Sequence, residues 1–234
     1  MTPFRESKIY HVLVAFRATK AYDILVVAPL IVFYLFAAAG IVIQLRPEFG
    51  PHAASWNWGR ALGAISQLLG MIFLVLQVVL FFLRRLPRAR APNILPNAVA
   101  VIGANTGALF LLLPRAQLTP ELALVSAALI SLGTFGAIVV AWWLRGAFAI
   151  LPQARTLVTR GPYAYLRHPL YLCEIVATIG LSLQFRQPLS TLVLSAVVAL
   201  QFARMHYEEG VLRNAFPDYA AYSARTARLI PGVY

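Results

Sequence analysis

Apolar residues arrive in long unbroken runs instead of alternating with polar ones. Residues 24–45, 61–83 and 122–144 each hold 22 or 23 residues with no charged side chain. At about 1.5 Å per residue, each is long enough to cross a hydrocarbon core of about 30 Å. A fourth run, 97–113, carries Asn105 and Thr106. Two shorter runs, 169–185 and 188–205, are separated only by Arg186 and Gln187. They predict a tight helical hairpin, with Pro169 and Pro188 in first turns, where a missing N–H does no harm. The pattern therefore predicts an all-α fold, a polytopic transmembrane bundle of about six spans. It divides into an interfacial segment (1–23), a four-helix scaffold (24–144) and a C-terminal part (145–234) holding a polar loop, the hairpin and a polar tail.

Composition agrees with a membrane protein. Of the 234 residues, 60% are hydrophobic and 12% charged, a balance outside that of ordinary soluble domains. The net charge of +12 is unevenly placed. With the N-terminus inside, the inner segments hold Arg5, Lys8, Arg17, Lys20, Arg84, Arg85, Arg88, Arg90, Arg145, Arg155, Arg160, Arg167, Arg204, Arg213, Arg225 and Arg228. The outer ones hold Arg46, Arg60, Arg115 and Arg186. This bias puts both termini and the polar loop at the cytoplasmic face. The expected partner is the lipid bilayer and not nucleic acid, because no basic stretch is interleaved with solvent-facing aromatics. The four His residues (11, 52, 168 and 206) are scattered and show no metal-ligand spacing. The first 20 residues lack the layout of a cleavable signal; Ile9, Val12, Leu13 and Phe16 are expected on one face of an interfacial helix. Gln67, Gln77 and Asn105, polar inside spans, are expected to bond between helices.

Candidate chemistry crowds into two stretches. The first is RGPYAYLRHPLYLCE, residues 160–174. Gly161-Pro162 marks a turn, and His168 falls at the N-cap of the helix that Pro169 begins. Such a helix end can receive an anionic group, or its Tyr, Arg and His can anchor the membrane surface. The second is QFARMHYEEGVLRNAFPDYAAY, residues 201–222. Arg204 and Glu208 are four apart and share a helix face, while Glu209 points elsewhere. A tight hairpin would bring His168, Tyr171, Arg204 and Glu208 together. Glu174, one turn into the fifth span, is either a functional carboxylate or the ion-pair partner of Arg204.

Taken together, GPYAYLRHPLY, the hairpin, R-x-x-x-E-E-x-x-L, F-P-D-Y-x-x-Y and a terminal IPG resemble the isoprenylcysteine carboxyl methyltransferases and, more widely, membrane phospholipid N-methyltransferases. The resemblance covers residues 145–234 and implies S-adenosylmethionine as cofactor. It implies that Arg155, Thr156, Leu157 and Val158 line the cofactor, largely with backbone, and that Tyr163, His168, Pro169, Leu170, Tyr171 and Glu208 contact it. Arg204 would hold a lipophilic, isoprenylated carboxylate substrate, and Arg204 and Glu208 would be the catalytic pair. Two departures stand out. Cys173 replaces a usual glycine and is expected to narrow the cofactor's approach, and F-P-D-Y is a residue shorter than the common F-G-x-x-Y. Methylation of an amine or thiol, with Glu208 or Glu174 as base, is the alternative enzyme reading. A membrane scaffold or small transporter is the non-enzyme reading; it would place polar residues near the midplane.

Overall fold

A computed structural model describes residues 15–46 and 58–232. Most of the expected interfacial helix lies outside the described residues; of its apolar face only Phe16 is within them. The main helices are α1 (Lys20–Leu45), α2 (Trp58–Leu83), α3 (Ile94–Asn105), α4 (Pro120–Leu144), α5 (Pro169–Ser182), α6 (Leu189–Ala215) and α7 (Tyr219–Arg225). Among the described residues, five spans are long and apolar enough to cross a membrane: α1, α2, α3 with its continuation, α4 with the turn after it, and α6. The sixth, α5, is shorter, with 14 residues, about 21 Å. The expected all-helical membrane bundle is what the chain forms. Outward faces are apolar, as a lipid contact requires: Phe36, Leu112 and Trp58 are among the exposed large side chains.

Local sequence sets the helix ends. Thr19 accepts a hydrogen bond from Tyr22 N at 3.2 Å and caps α1. Thr119 does the same for α4 from Leu122 N at 3.3 Å, followed by Pro120 at the first helical position. Pro169 opens α5 with His168 as N-cap. Pro188 differs from expectation: α6 begins at Leu189, so Pro188 is its N-cap, and its carbonyl accepts from Leu192 N at 3.1 Å. The fourth run is α3 continued by a 3-10 helix, Thr106–Leu112. At that junction Asn105 Nδ2 donates to Val101 O at 2.8 Å and Thr106 Oγ1 to Ile102 O at 2.7 Å. Such back-bonding by short polar side chains disturbs regular helix geometry.

The hairpin is looser than predicted. Residues 183–188 connect α5 to α6, and α5 packs closely on α4. Gly133 permits this: a Cβ there would meet Ala177 N at 2.4 Å and Cys173 O at 2.6 Å. Ser126 Oγ adds a hydrogen bond to Gly180 O at 2.8 Å. The last long helix does not stop at Met205 but continues to Ala215, which carries Glu208 and Glu209 on one rigid rod.

The basic loops gather at one end of the bundle. Strand β1 (Ala89–Arg90) pairs antiparallel with β2 (Gln153–Ala154), joining the α2–α3 loop to the α4–α5 loop. Arg167 N donates to Ala227 O at 2.8 Å and His168 N to Arg228 O at 3.1 Å, docking the C-terminal segment there. Lys20, at the start of α1, donates to Arg84 O. At the other end Ala116 N meets Gln184 O at 2.9 Å, and Arg186 N meets Pro114 O at 3.0 Å.

Candidate active site

A cavity of about 550 Å³ opens inside the bundle and reaches the basic end, within the usual range for small-molecule sites. Much of its lining is apolar, with Phe33, Phe73, Leu111 and Val197 among it. Polar side chains enter from every span: Tyr34 of α1, Gln77 of α2, Asn105 of α3, Thr134 of α4, Glu174 of α5, and Gln201, Arg204 and Glu208 of α6. Gln77 and Asn105 therefore face the cavity, where helix-to-helix bonding was expected.

Most residues singled out from the sequence meet here. Arg155, Thr156, Leu157 and Val158 form one wall, and Tyr163, His168, Leu170 and Tyr171 the next. Arg204 and Glu208 face them, and Glu209 does not line the cavity, as the helical spacing required. Pro169 is the exception among the expected cofactor contacts. As the first residue of α5 it is buried and stays out of the lining.

Tyr171 organises the charged pair. Its ring lies under the Arg204 guanidinium, 4.8 Å from centroid to carbon, and its hydroxyl donates to Glu208 Oε1. The planar cation gains from the aromatic face, and the carboxylate is held by a charge-assisted bond. Arg204 does not pair directly with Glu174. Gln201 stands between them, accepting from Arg204 Nη1 at 2.9 Å and donating to Glu174 Oε2 at 2.7 Å. Of the two sequence readings of Glu174, the direct ion pair does not form; an amide one turn away intercepts it because Gln201 and Arg204 share a face of α6. Arg204 Nε is buried with no partner, an orphan donor that an anionic ligand would satisfy.

Glu209 holds the outer wall. Its Oε1 accepts from Arg167 Nη1 at 3.1 Å, Arg228 Nε at 3.0 Å and His168 Nε2 at 3.0 Å. Because a carboxylate only accepts, Nε2 carries the His168 proton. Tyr222 completes the wall, its hydroxyl donating to Tyr163 O at 2.9 Å. Burial pushes Tyr222 up to about 12. Burial, reinforced by the Glu208 charge, holds Tyr163 well above the ordinary tyrosine range. Both phenols stay neutral.

Cys173 does not narrow the cavity, which it does not line. Its Sγ lies against α4, 2.8 Å from where a Cβ on Gly136 would stand. The bulk that replaces the expected glycine is thus accommodated by a second glycine across the helix pair. The shortened F-P-D-Y still delivers Tyr219 and Tyr222 to the lining. Sequence reasoning missed Asp23, which is 2% exposed and grips Arg155 and Arg84. A lone acid at the edge of an apolar run was the available signal. Among the described residues no group of three His, Cys, Asp or Glu comes together to hold a metal.

Residues 118–219 match the phospholipid methyltransferase family. The chain is 36% identical over 107 residues to the cobalt-zinc-cadmium resistance protein CzcN of Cupriavidus metallidurans, covering 44% of this chain and 45% of that protein. It is 36% identical over 116 residues to the nickel-cobalt-cadmium resistance protein NccN of Alcaligenes xylosoxydans xylosoxydans, covering 46% and 52%. It is 34% identical over 79 residues to protein-S-isoprenylcysteine O-methyltransferase B of Arabidopsis thaliana, covering 33% and 40%. The chain spans about half the length of the curated relatives it matches. Residues 118–219, which carry the cavity's charged residues, are thus similar to integral-membrane methyltransferases of the phospholipid and isoprenylcysteine kinds.

Proposed function

We propose that this protein transfers a methyl group from S-adenosylmethionine to a lipophilic acceptor inside the bundle cavity, at the cytoplasmic face of the membrane. The observation that carries the reading is the pairing of Arg204 and Glu208 across Tyr171 in a cavity walled by residues 155–158. The cofactor, when bound, supplies an electrophilic methyl on a sulfonium. The lining suits it: Glu208 offers an oxygen to the cofactor's ammonium, and Arg204 keeps a buried, unpartnered N–H for the acceptor. The wall phenols stay neutral and add no competing charge. Methyl transfer is an in-line displacement, so alignment in a water-poor site is the main catalytic need. The sixteen basic residues assigned inside, against four outside, support the cytoplasmic placement.

For the acceptor, the resemblance supports the carboxylate of an isoprenylcysteine-like molecule. Such a nucleophile is already ionised and needs no base, only a planar cation to orient it. Arg204 suits that role. Glu174 favours a second reading, an amine or thiol acceptor. It lines the cavity and is bonded to an amide, Gln201, in place of a cation. It can therefore take the proton that such an acceptor loses as the new bond to carbon forms. Incubating the detergent-purified protein with methyl-labelled S-adenosylmethionine and extracted membrane lipid tests the proposal. Label in a lipid fraction supports it, and alkali-labile label identifies an ester. Unlabelled lipid, together with no binding of S-adenosylhomocysteine, would leave the scaffold or transporter reading.

A further inference from the structure

The stretch 156–159, of which residues 156–158 wall the cavity, has no helix or strand of its own. It is suspended between two anchors. At the far end, Gly161 has φ +62°, and a Cβ there would meet the Trp143 ring at 2.7 Å, so the chain turns flat against that indole. At the near end stands Arg155, whose side chain is fully buried. Its Nη2 donates to Asp23 Oδ1 at 2.7 Å and to Gln153 Oε1 at 2.6 Å, and its Nη1 to Asp23 Oδ2 at 3.2 Å and to Arg85 O. Asp23 also accepts from Arg84 Nε at 2.9 Å, while Arg84 Nη2 donates to the Asp23 carbonyl at 2.8 Å. One carboxylate on the first helix thus compensates two buried guanidiniums. Asp23 lies far outside residues 118–219, the part that matches the methyltransferase family.

We propose that Asp23 is a positioning residue for the cofactor: by gripping the Arg155 fork it fixes the near end of the 156–158 wall and so sets the shape of the cavity. The inference rests on the reading that this cavity binds S-adenosylmethionine. A fork held on both nitrogens fixes direction as well as distance. A single charge pair would leave the following residues free to swing. Because the wall lacks backbone pairing of its own, its order depends on this grip.

The test uses the full chain in detergent. Asp23→Asn removes the charge, Arg155→Lys keeps a cation but loses the fork, and Asp23→Glu is the conservative rescue. Two quantities are read: amide exchange in peptides spanning 151–161, and the affinity for S-adenosylhomocysteine by calorimetry. In Asp23→Asn and Arg155→Lys, exchange in that segment is expected to quicken about tenfold or more, with α4 to α6 keeping their protection. Affinity should fall by a similar factor, which corresponds to about 1.4 kcal/mol. Asp23→Glu should recover most of both. If Asp23→Asn fails to fold, Arg155→Lys alone decides. Unchanged exchange at 151–161 in a folded variant overturns the proposal, as does unchanged affinity. If the wild type binds no S-adenosylhomocysteine, the reading of the cavity fails, and the exchange measurement still decides whether Asp23 orders the wall.

Discussion

Replacing Glu209 by Gln should separate wall stability from cofactor contact. Glu209 is 6% exposed and its Oε1 receives Arg167, His168 and Arg228. The isosteric amide keeps an acceptor but removes the charge beneath two guanidiniums. Breaking a fully buried charged cluster costs about 3–5 kcal/mol. The side chains of Arg167 and Arg228 are 19% and 16% exposed, so water recovers part of that loss. We expect about 2 kcal/mol. For a chain of this length that is a drop of about 4–8 °C in thermal midpoint, read by tryptophan fluorescence in detergent. Glu208→Gln should behave oppositely. Among the described residues its hydrogen-bond partner is Tyr171, which an amide oxygen also satisfies, so the midpoint should move by less than about 2 °C. Affinity for S-adenosylhomocysteine should fall about tenfold, the loss of one charge-assisted bond. In the sequence, Glu209 points away from the face that Arg204 and Glu208 share, so Glu209→Gln reads as the milder change. The structure makes it milder for cofactor binding and more severe for stability. A Glu209→Gln protein with an unmoved midpoint, or one that loses more affinity than Glu208→Gln, would refute this division of labour.

Gly103→Ala should raise helix propensity by about 0.5–1 kcal/mol yet impair function. A Cβ there would sit 2.7 Å from Arg204 Cδ and push the guanidinium off Tyr171. Turnover should therefore fall while thermal stability does not; equal turnover would show that Arg204 has room to give. Tyr222→Phe should lose about 1 kcal/mol, seen in thermal midpoints at constant difference from about pH 6 to 9. The wild-type phenol, raised to about 12 when folded, contributes fully below its unfolded value near 10 and loses that contribution as pH climbs between the two. A difference that already shrinks between about pH 6 and 9 would mean that the phenol ionises early. In a Cys173→Ser background, single cysteines at 117 and 187 should react with an impermeant reagent from outside, and those at 88 and 225 should not. Labelling at 88 or 225 in intact cells would reverse the assigned topology.

The spans, the helical register of Arg204, Glu208 and Glu209, and the convergence of the two polar stretches were legible from apolar run length and the 3.6-residue period. Both are local properties. What escaped depends on partners far apart in sequence. Asp23 and Arg155 meet across 132 positions, and no periodicity reports such a meeting. Gln201 intercepts a pairing of Glu174 with Arg204 because it lies one turn from Arg204, a competition that residue types alone do not decide. Cys173 looked intrusive from the residue it replaces. Its harmlessness rests on Gly136 of a neighbouring helix, visible only once α4 and α5 are packed. Asn105 and Gln77 looked like helix-to-helix glue because sequence gives their depth in a span but not which side faces a cavity.

The most direct test of the central claim is isothermal titration of S-adenosylhomocysteine into the detergent-purified wild-type protein, beside Glu208→Gln and the exposed control Arg213→Gln. Saturable one-to-one binding to the wild type is expected, unchanged in Arg213→Gln and weakened about tenfold in Glu208→Gln. Absence of binding heat at millimolar ligand, in protein shown to be folded, would contradict it, as would equal affinity in Glu208→Gln for the assignment of that carboxylate.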